Sequence, residues 1–122
     1  MPWTYEQSTG NLFLNGVQVA TGYSGAGMTT ATGRNNPALE NMPQVGPIPR
    51  GQYTIGQPRT STHTGPVAMD LNPVGHNAHG RSAFQIHGNN RSNNASHGCI
   101  ILPRHVRDTI GASTDRTLNV VQ

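Results

Sequence analysis

The feature that most constrains this chain is how often its backbone is punctuated. Fifteen glycines and nine prolines fall among 122 residues. Proline removes a backbone donor and glycine weakens regular elements, so such a chain favours short strands joined by many loops. Asn15-Gly16 sits between the apolar runs Leu12–Leu14 and Val17–Val19, the strongest short-range hairpin signal. Residues 24–52 are rich in loop formers, from Ser24-Gly25-Ala26-Gly27 through Gly46-Pro47-Ile48-Pro49-Arg50-Gly51. A stretch of that length without regular structure is often functional. Strands are expected at Gln52–Ile55, at Val67–Leu71 where Asn72-Pro73 would end it, at Ala83–His87, and at Leu118–Val121. In Ala83–His87 the period of two sends Phe84 and Ile86 to one face and Gln85 and His87 to the other. One helix is expected after Pro103, with Val106 and Ile110 on one face and Gly111 as its stop. No internal repeat or linker interrupts the chain. The expectation is one mainly β domain over residues 1–122, with one short helix following Cys99.

Composition narrows the function. No apolar run approaches the ~20 residues of a membrane span, so no membrane insertion is expected. Charged residues are only 11% of the chain, which excludes a highly charged disordered segment. All eight basic residues are arginines. The absence of lysine excludes P-loop phosphate binding and Schiff-base chemistry. The arginines are dispersed, without the basic runs and interleaved aromatics of a nucleic-acid surface. Formal net charge is +3; a mild positive field of arginine forks suits an anionic, carboxylate-bearing substrate. Met1–Glu6 has neither a basic segment nor an apolar core, so no signal peptide is read there and export is expected to use another route.

Cys99 is the only cysteine, so no internal disulfide forms. Its surroundings carry the chemistry: Phe84-Gln85-Ile86-His87-Gly88, then Ser96-His97-Gly98-Cys99-Ile100. A thiol at its ordinary pKa is only a few per cent ionised at neutral pH, so a nucleophilic cysteine needs a base or a positive field beside it. Two imidazoles are available, His87 at the end of an alternating strand and His97 two residues before the thiol. Gly88 and Gly98 allow close backbone approach, and the peptide N–H groups near Cys99 suit a developing oxyanion.

The His87-Gly88 and Ser96-His97-Gly98-Cys99 pair resembles the signature of the YkuD-type L,D-transpeptidases. Pro49-Arg50-Gly51-Gln52-Tyr53-Thr54-Ile55 is similar to that family's turn and strand, and Trp3-Thr4-Tyr5 with Tyr23-Ser24-Gly25 resembles a small branch of antibacterial effectors delivered by type VI secretion. The resemblance covers about residues 3–110. It implies an L,D-transpeptidase-like mixed β domain that acts on peptidoglycan stem peptides and needs no cofactor or metal. It also implies a cognate immunity protein, a secretion apparatus, synthesis in the cytoplasm and action in a target cell's periplasm. By the same resemblance Cys99 is the nucleophile and His87 the base, oriented by a carbonyl such as that of Gly88. The amides of His97, Gly98 and Cys99 form an oxyanion hole, and Ser96 and the His97 ring shape the loop. His97 remains an alternative base. Cys99 and His87 are expected to face each other in a cleft roofed by loops 24–50 and 88–98. Arg34, Arg81, Arg91 and Arg104 are the candidates for holding the carboxylates of the stem. An Arg or Asn commonly follows the cysteine motif by two positions in the family; here that position is Ile101.

Other classes remain open at this point. The six histidines with Cys99 could bind zinc in a metal-dependent hydrolase, although His76-x-x-His79 is the only suggestive spacing. A non-catalytic cell-wall-binding module of the same fold would tolerate loss of Cys99. A glycosidase would need two of Glu6, Glu40, Asp70, Asp108 and Asp115 to meet in space.

Overall fold

In the computed structural model, which describes residues 3–122, ten strands form a mixed, nearly closed sheet with one short helix. Met1 and Pro2, part of the expected domain and of the segment read for a signal peptide, lie outside the described residues. The strands are β1 (Trp3–Glu6), β2 (Asn11–Leu14), β3 (Val17–Thr21), β4 (Tyr23–Ser24), β5 (Gly51–Ile55), β6 (Arg59–Ser61), β7 (Gly65–Val74), β8 (Phe84–His87), β9 (Ile100–Ile101) and β10 (Thr117–Val121); the helix α1 is Arg104–Ala112. Their spatial order is β3-β2-β1-β10-β5-β7-β8-β9-β4, with β6 paired to β7. The β1–β10 and β8–β9 pairs are parallel and the others antiparallel.

Local chemistry explains most of these elements. The β2–β3 turn has positive φ at Asn15 (55°) and Gly16 (79°), the left-handed pair that a two-residue hairpin of matching twist demands. Trp3, Tyr5, Leu12, Tyr53, Leu118 and Val120 alternate inward from neighbouring strands and join Phe84, Ile86, Ile100 and Leu102 in one core. Val106 and Ile110, one helical turn apart, lay α1 onto that same core.

The strands expected at Gln52–Ile55, Ala83–His87 and Leu118–Val121 each shift by one residue at their start, and two other expected elements differ by more. The strand expected over Val67–Leu71 runs from Gly65 to Val74, through Pro73, which pairs with Tyr53. β8 reaches only as far as Leu71 on the other side, so Pro73 lies where the strand has a single neighbour and a missing N–H is tolerated. Gly111 does not stop α1, which continues to Ala112 and is capped at Ser113. The glycine serves contact instead: a Cβ there would stand 2.6 Å from Pro58 Cγ. β6 is a strand that composition did not reveal; it is short and its register with β7 is irregular.

Candidate active site

The register of three strands assembles the site. Ile86 pairs with Ile100 and His87 with Ile101 across β8–β9, while Tyr23 of β4 pairs with Ile101 from the other side. Alternation sends Phe84, Ile86 and Ile100 into the core. It leaves Tyr23, Ile101 and His87 in one row on the opposite face. Cys99 lies two positions before Ile101, in a bend just ahead of β9. The thiol lies 3.8 Å from the Ala83 carbonyl, and it also receives the Gln85 N–H. No hydrogen bond joins it to His87 among the described residues.

His87 is 3% exposed. Its Nδ1 lies 2.9 Å from the carbonyl of its neighbour Gly88. A carbonyl only accepts, so this contact places the proton on Nδ1 and the lone pair on Nε2. Burial pushes the imidazole pKa below its ordinary value, the Gly88 carbonyl partly opposes this, and the Arg107 guanidinium lowers it further. Burial raises the Cys99 thiol; the Gln85 N–H and the Arg81 charge pull the other way without reversing the shift. Both groups are therefore neutral at rest at neutral pH, an arrangement suited to proton transfer on demand rather than to a standing thiolate–imidazolium pair.

The loop before Cys99 is held by Ser96 and Arg81. Ser96 is fully buried; its Oγ accepts from the amides of Gly25 (2.9 Å) and Gly98 (3.1 Å) and donates to the Cys99 carbonyl (2.6 Å). The Gly98 N–H is thus committed in this conformation, which removes it from the expected oxyanion donors and leaves those of His97 and Cys99. Arg81, expected among the residues that hold substrate, is 8% exposed and donates to the carbonyls of Glu40, Pro47, Gly46 and His97. All four of its terminal N–H groups have protein partners, so it ties the 40–47 loop to the cysteine loop and contributes charge near the thiol. Gly98, at φ 133°, is required by this contact: a Cβ would stand 2.4 Å from Arg81 Nη2. The His97 ring is exposed, with Nδ1 3.3 Å from the Gln44 carbonyl.

Two hollows lie near the cysteine loop, and neither is lined by Cys99 or His87, so the expected cleft between those two side chains is not found as a hollow among the described residues. Gly80, Arg81, Ser82 and His97 line a small polar one of about 190 Å³. A larger cavity of about 660 Å³ is bounded by Tyr23, Ile101, Asn89 and three arginines, Arg34, Arg104 and Arg107. Arg34 lies over the Tyr23 ring, 3.5 Å from its centroid, and donates to the carbonyls of Gly27 and Asn93. Arg104 pairs with Asp108 in an exposed i,i+4 bridge at 3.1 Å. Arg91 is exposed on the 88–98 loop and lines neither hollow.

The family model for the Tlde1 domain matches residues 18–120, which takes in His87, the cysteine loop and α1. The chain belongs to the Tlde1 family. That membership points to a type VI secretion effector with antibacterial action, with which go a cognate immunity protein and a secretion apparatus. No curated protein matches the chain.

Within this Tlde1 domain, Arg107 is the residue that sequence reasoning passed over. It lies on α1, 8% exposed, and donates to the carbonyls of Leu102 (3.1 Å) and Pro66 (2.7 Å). A Cβ at position 88 would stand 2.8 Å from its Nη2, so Gly88 is small where Arg107 closes on the His87 segment. The helical spacing of Arg107 next to Val106 was visible, but a charge beside an apolar face reads as solvent-facing. His76 and His79 are engaged elsewhere. His76 Nδ1 accepts from the Ala78 amide and its Nε2 lies 3.1 Å from the Gln52 carbonyl, while His79 meets Glu40 at 3.2 Å. Among the described residues no group of three or more His, Cys, Asp and Glu side chains gathers where a metal ion could be held, and no helix is long and apolar enough to cross a membrane.

Proposed function

We propose that this Tlde1 domain is a cysteine enzyme that acts on the L,D-peptide bond of peptidoglycan stems, as an L,D-carboxypeptidase, an L,D-transpeptidase, or both. The observation that carries the proposal is the Gly88 carbonyl that leaves His87 Nε2 as a proton acceptor, on a strand whose register sets His87 beside Ile101, two positions after Cys99. In this reading the scissile bond joins the L-centre of diaminopimelate to a terminal D-alanine. Cys99 turns from the Ala83 carbonyl towards His87, which takes the thiol proton as sulfur attacks the acyl carbon. The amides of His97 and Cys99 receive the developing oxyanion. Losing one such donor typically costs roughly 100- to 1000-fold in rate. The carbon–nitrogen bond then breaks, the imidazolium returns its proton to the departing amine, and a thioester remains on Cys99. Water, a free D-amino acid or a second stem resolves that thioester, giving hydrolysis, exchange or a 3–3 crosslink. The reaction is proposed to take place in the periplasm of the target cell.

The test uses purified protein and tetrapeptide muropeptides, with products read by mass spectrometry. Tripeptide, exchanged tetrapeptide or crosslinked dimer should appear with wild type and vanish with Cys99→Ala. Identical profiles from the two proteins would refute the assignment. Expression in the periplasm behind a borrowed signal sequence should arrest growth, and the same substitution should relieve the arrest.

A further inference from the structure

Two His-Gly pairs flank the proposed chemistry, and a buried arginine lies against the glycine of each: Arg81 against Gly98 and Arg107 against Gly88. A Cβ at Gly88 would stand 2.8 Å from Arg107 Nη2. Gly88 lacks the positive φ of Gly98, so the approach of the guanidinium, not backbone conformation, requires glycine there. Arg81 and Arg116 also donate to carbonyls. Arg107 is set apart by where its contacts lead.

Those contacts close a ring around the His87 segment. The His87 carbonyl accepts from the Leu102 amide (3.1 Å), and the Leu102 carbonyl accepts from Arg107 Nε (3.1 Å). Arg107 Nη1 reaches the Pro66 carbonyl on β7 (2.7 Å). Its Nη2 rests on Gly88. Val106 and Ile110 fix α1 on the core and so fix the arginine. The guanidinium cannot swing aside without giving up Leu102 and Pro66. This matters because the Gly88 carbonyl is the group 2.9 Å from His87 Nδ1. A glycine peptide is the easiest to rotate, and the imidazole keeps its proton on Nδ1 only while that carbonyl stays in place. The other neighbours leave Arg107 as the charge that bears on the ring. β9 sets apolar Ile101 beside His87, with Cys99 ahead of that strand. Asp70 of β7 lies opposite Gln85 and is held by Arg59 and Gln85. Arg104 and Asp108 pair with each other on the exposed side of α1.

We propose, resting on the assignment of His87 as the base, that Arg107 is its positioning residue: by packing on Gly88 it holds the Gly88 carbonyl at His87 Nδ1 and so keeps Nε2 free to accept the thiol proton.

Histidine ¹⁵N spectroscopy tests this, because it reads the His87 tautomer whether or not substrate is turned over. Above its titration, wild-type His87 should show one tautomer, protonated at Nδ1. Gly88→Ala should mix the two tautomers and lower kcat on a tetrapeptide by roughly tenfold to a hundredfold, the scale of a small misplacement, with KM nearly unchanged. Arg107→Gln should also mix the tautomers, and the loss of positive charge should raise the His87 titration midpoint and the acid limb of kcat/KM with it. Arg107→Lys keeps the charge but not the planar fork, so the midpoint should stay near that of wild type while the tautomers mix. Adding Gly88→Ala to Arg107→Gln should cost little more, since contacting residues are not additive. A single unchanged tautomer in Gly88→Ala, or full additivity of the two substitutions, would overturn the proposal; should Arg107→Gln fail to fold, Gly88→Ala decides it. A wild type that shows the expected tautomer and its loss in Gly88→Ala, yet turns over no tetrapeptide, would instead remove the enzymatic assignment and leave Arg107 as the group that orients His87.

Discussion

In the proposed reaction Cys99 and His87 start as neutral groups, and their protonation sets the expected pH behaviour. An imidazole whose pKa is held down by burial loses its proton at lower pH than an ordinary one. The acid limb of kcat/KM should therefore fall below the usual imidazole value of about 6.5, measured on a tetrapeptide substrate. A midpoint above that value would contradict the assignment of His87 as the base. His87→Ala should reduce kcat by roughly 100- to 10000-fold, whereas His97→Ala, on an exposed ring, should reduce it far less. An equal loss in the two variants would move the base to His97. Ser96→Ala removes the acceptor of two amides and should lower stability by about 1–3 kcal/mol, measured by denaturant unfolding. The residues named in this paragraph were legible because Ser-His-Gly-Cys and His-Gly are short runs whose chemistry depends on residue type. The commitment of the Gly98 amide was not legible, because a hydroxyl two residues away faces that amide only after the loop has folded.

At the scale of elements, the cysteine loop is held from outside itself. Arg81 follows a 3₁₀ turn and reaches four carbonyls on two other loops. Arg81→Ala should destabilise the fold by about 3 kcal/mol or more, because it leaves buried carbonyls unpaired. Arg81→Lys should recover little of that, since an ammonium lacks the planar fork. Thermal and urea unfolding of the two variants measure the difference; full recovery by lysine would reduce the role of Arg81 to charge alone. Ile110→Ala should cost about 2–5 kcal/mol as a cavity beneath α1. Most elements could be read from pattern: the Asn15-Gly16 hairpin, the alternation in β8 and the apolar spacing of α1. The extents of β7 and α1 could not, because Pro73 and Gly111 act through their tertiary neighbours, a single flanking strand and Pro58. The roles of Arg81 and Arg107 escaped for a related reason: a dispersed arginine has no periodic signature, and its partners are distant carbonyls.

For the molecule as a whole, Glu40 joins distant parts of the chain. It receives Gln7, the amide and guanidinium of Arg50, and His79. Burial alone would raise its pKa, but those hydrogen bonds outweigh it and hold the carboxyl at about 2. Because the folded value lies below the unfolded one, this contribution is fully present above the ordinary glutamate pKa of about 4.3 and is lost as pH falls towards 2. Glu40→Gln should therefore flatten the acid side of the stability curve, measured by unfolding between pH 2 and 5; an unchanged slope would contradict this linkage. The overall fold class was legible because glycine and proline density forces short elements, whereas the pairing of the first strand with the last joins positions that no local pattern relates. In the proposed reaction Cys99 carries the acyl group, and intact-protein mass spectrometry after rapid acid quench reads that species directly. Wild type mixed with tetrapeptide should gain the mass of the stem without its terminal D-alanine, as a thioester that maps to Cys99 and is missing in Cys99→Ala. Product formation by the Cys99→Ala protein, or an adduct mapped to another residue, would contradict the account.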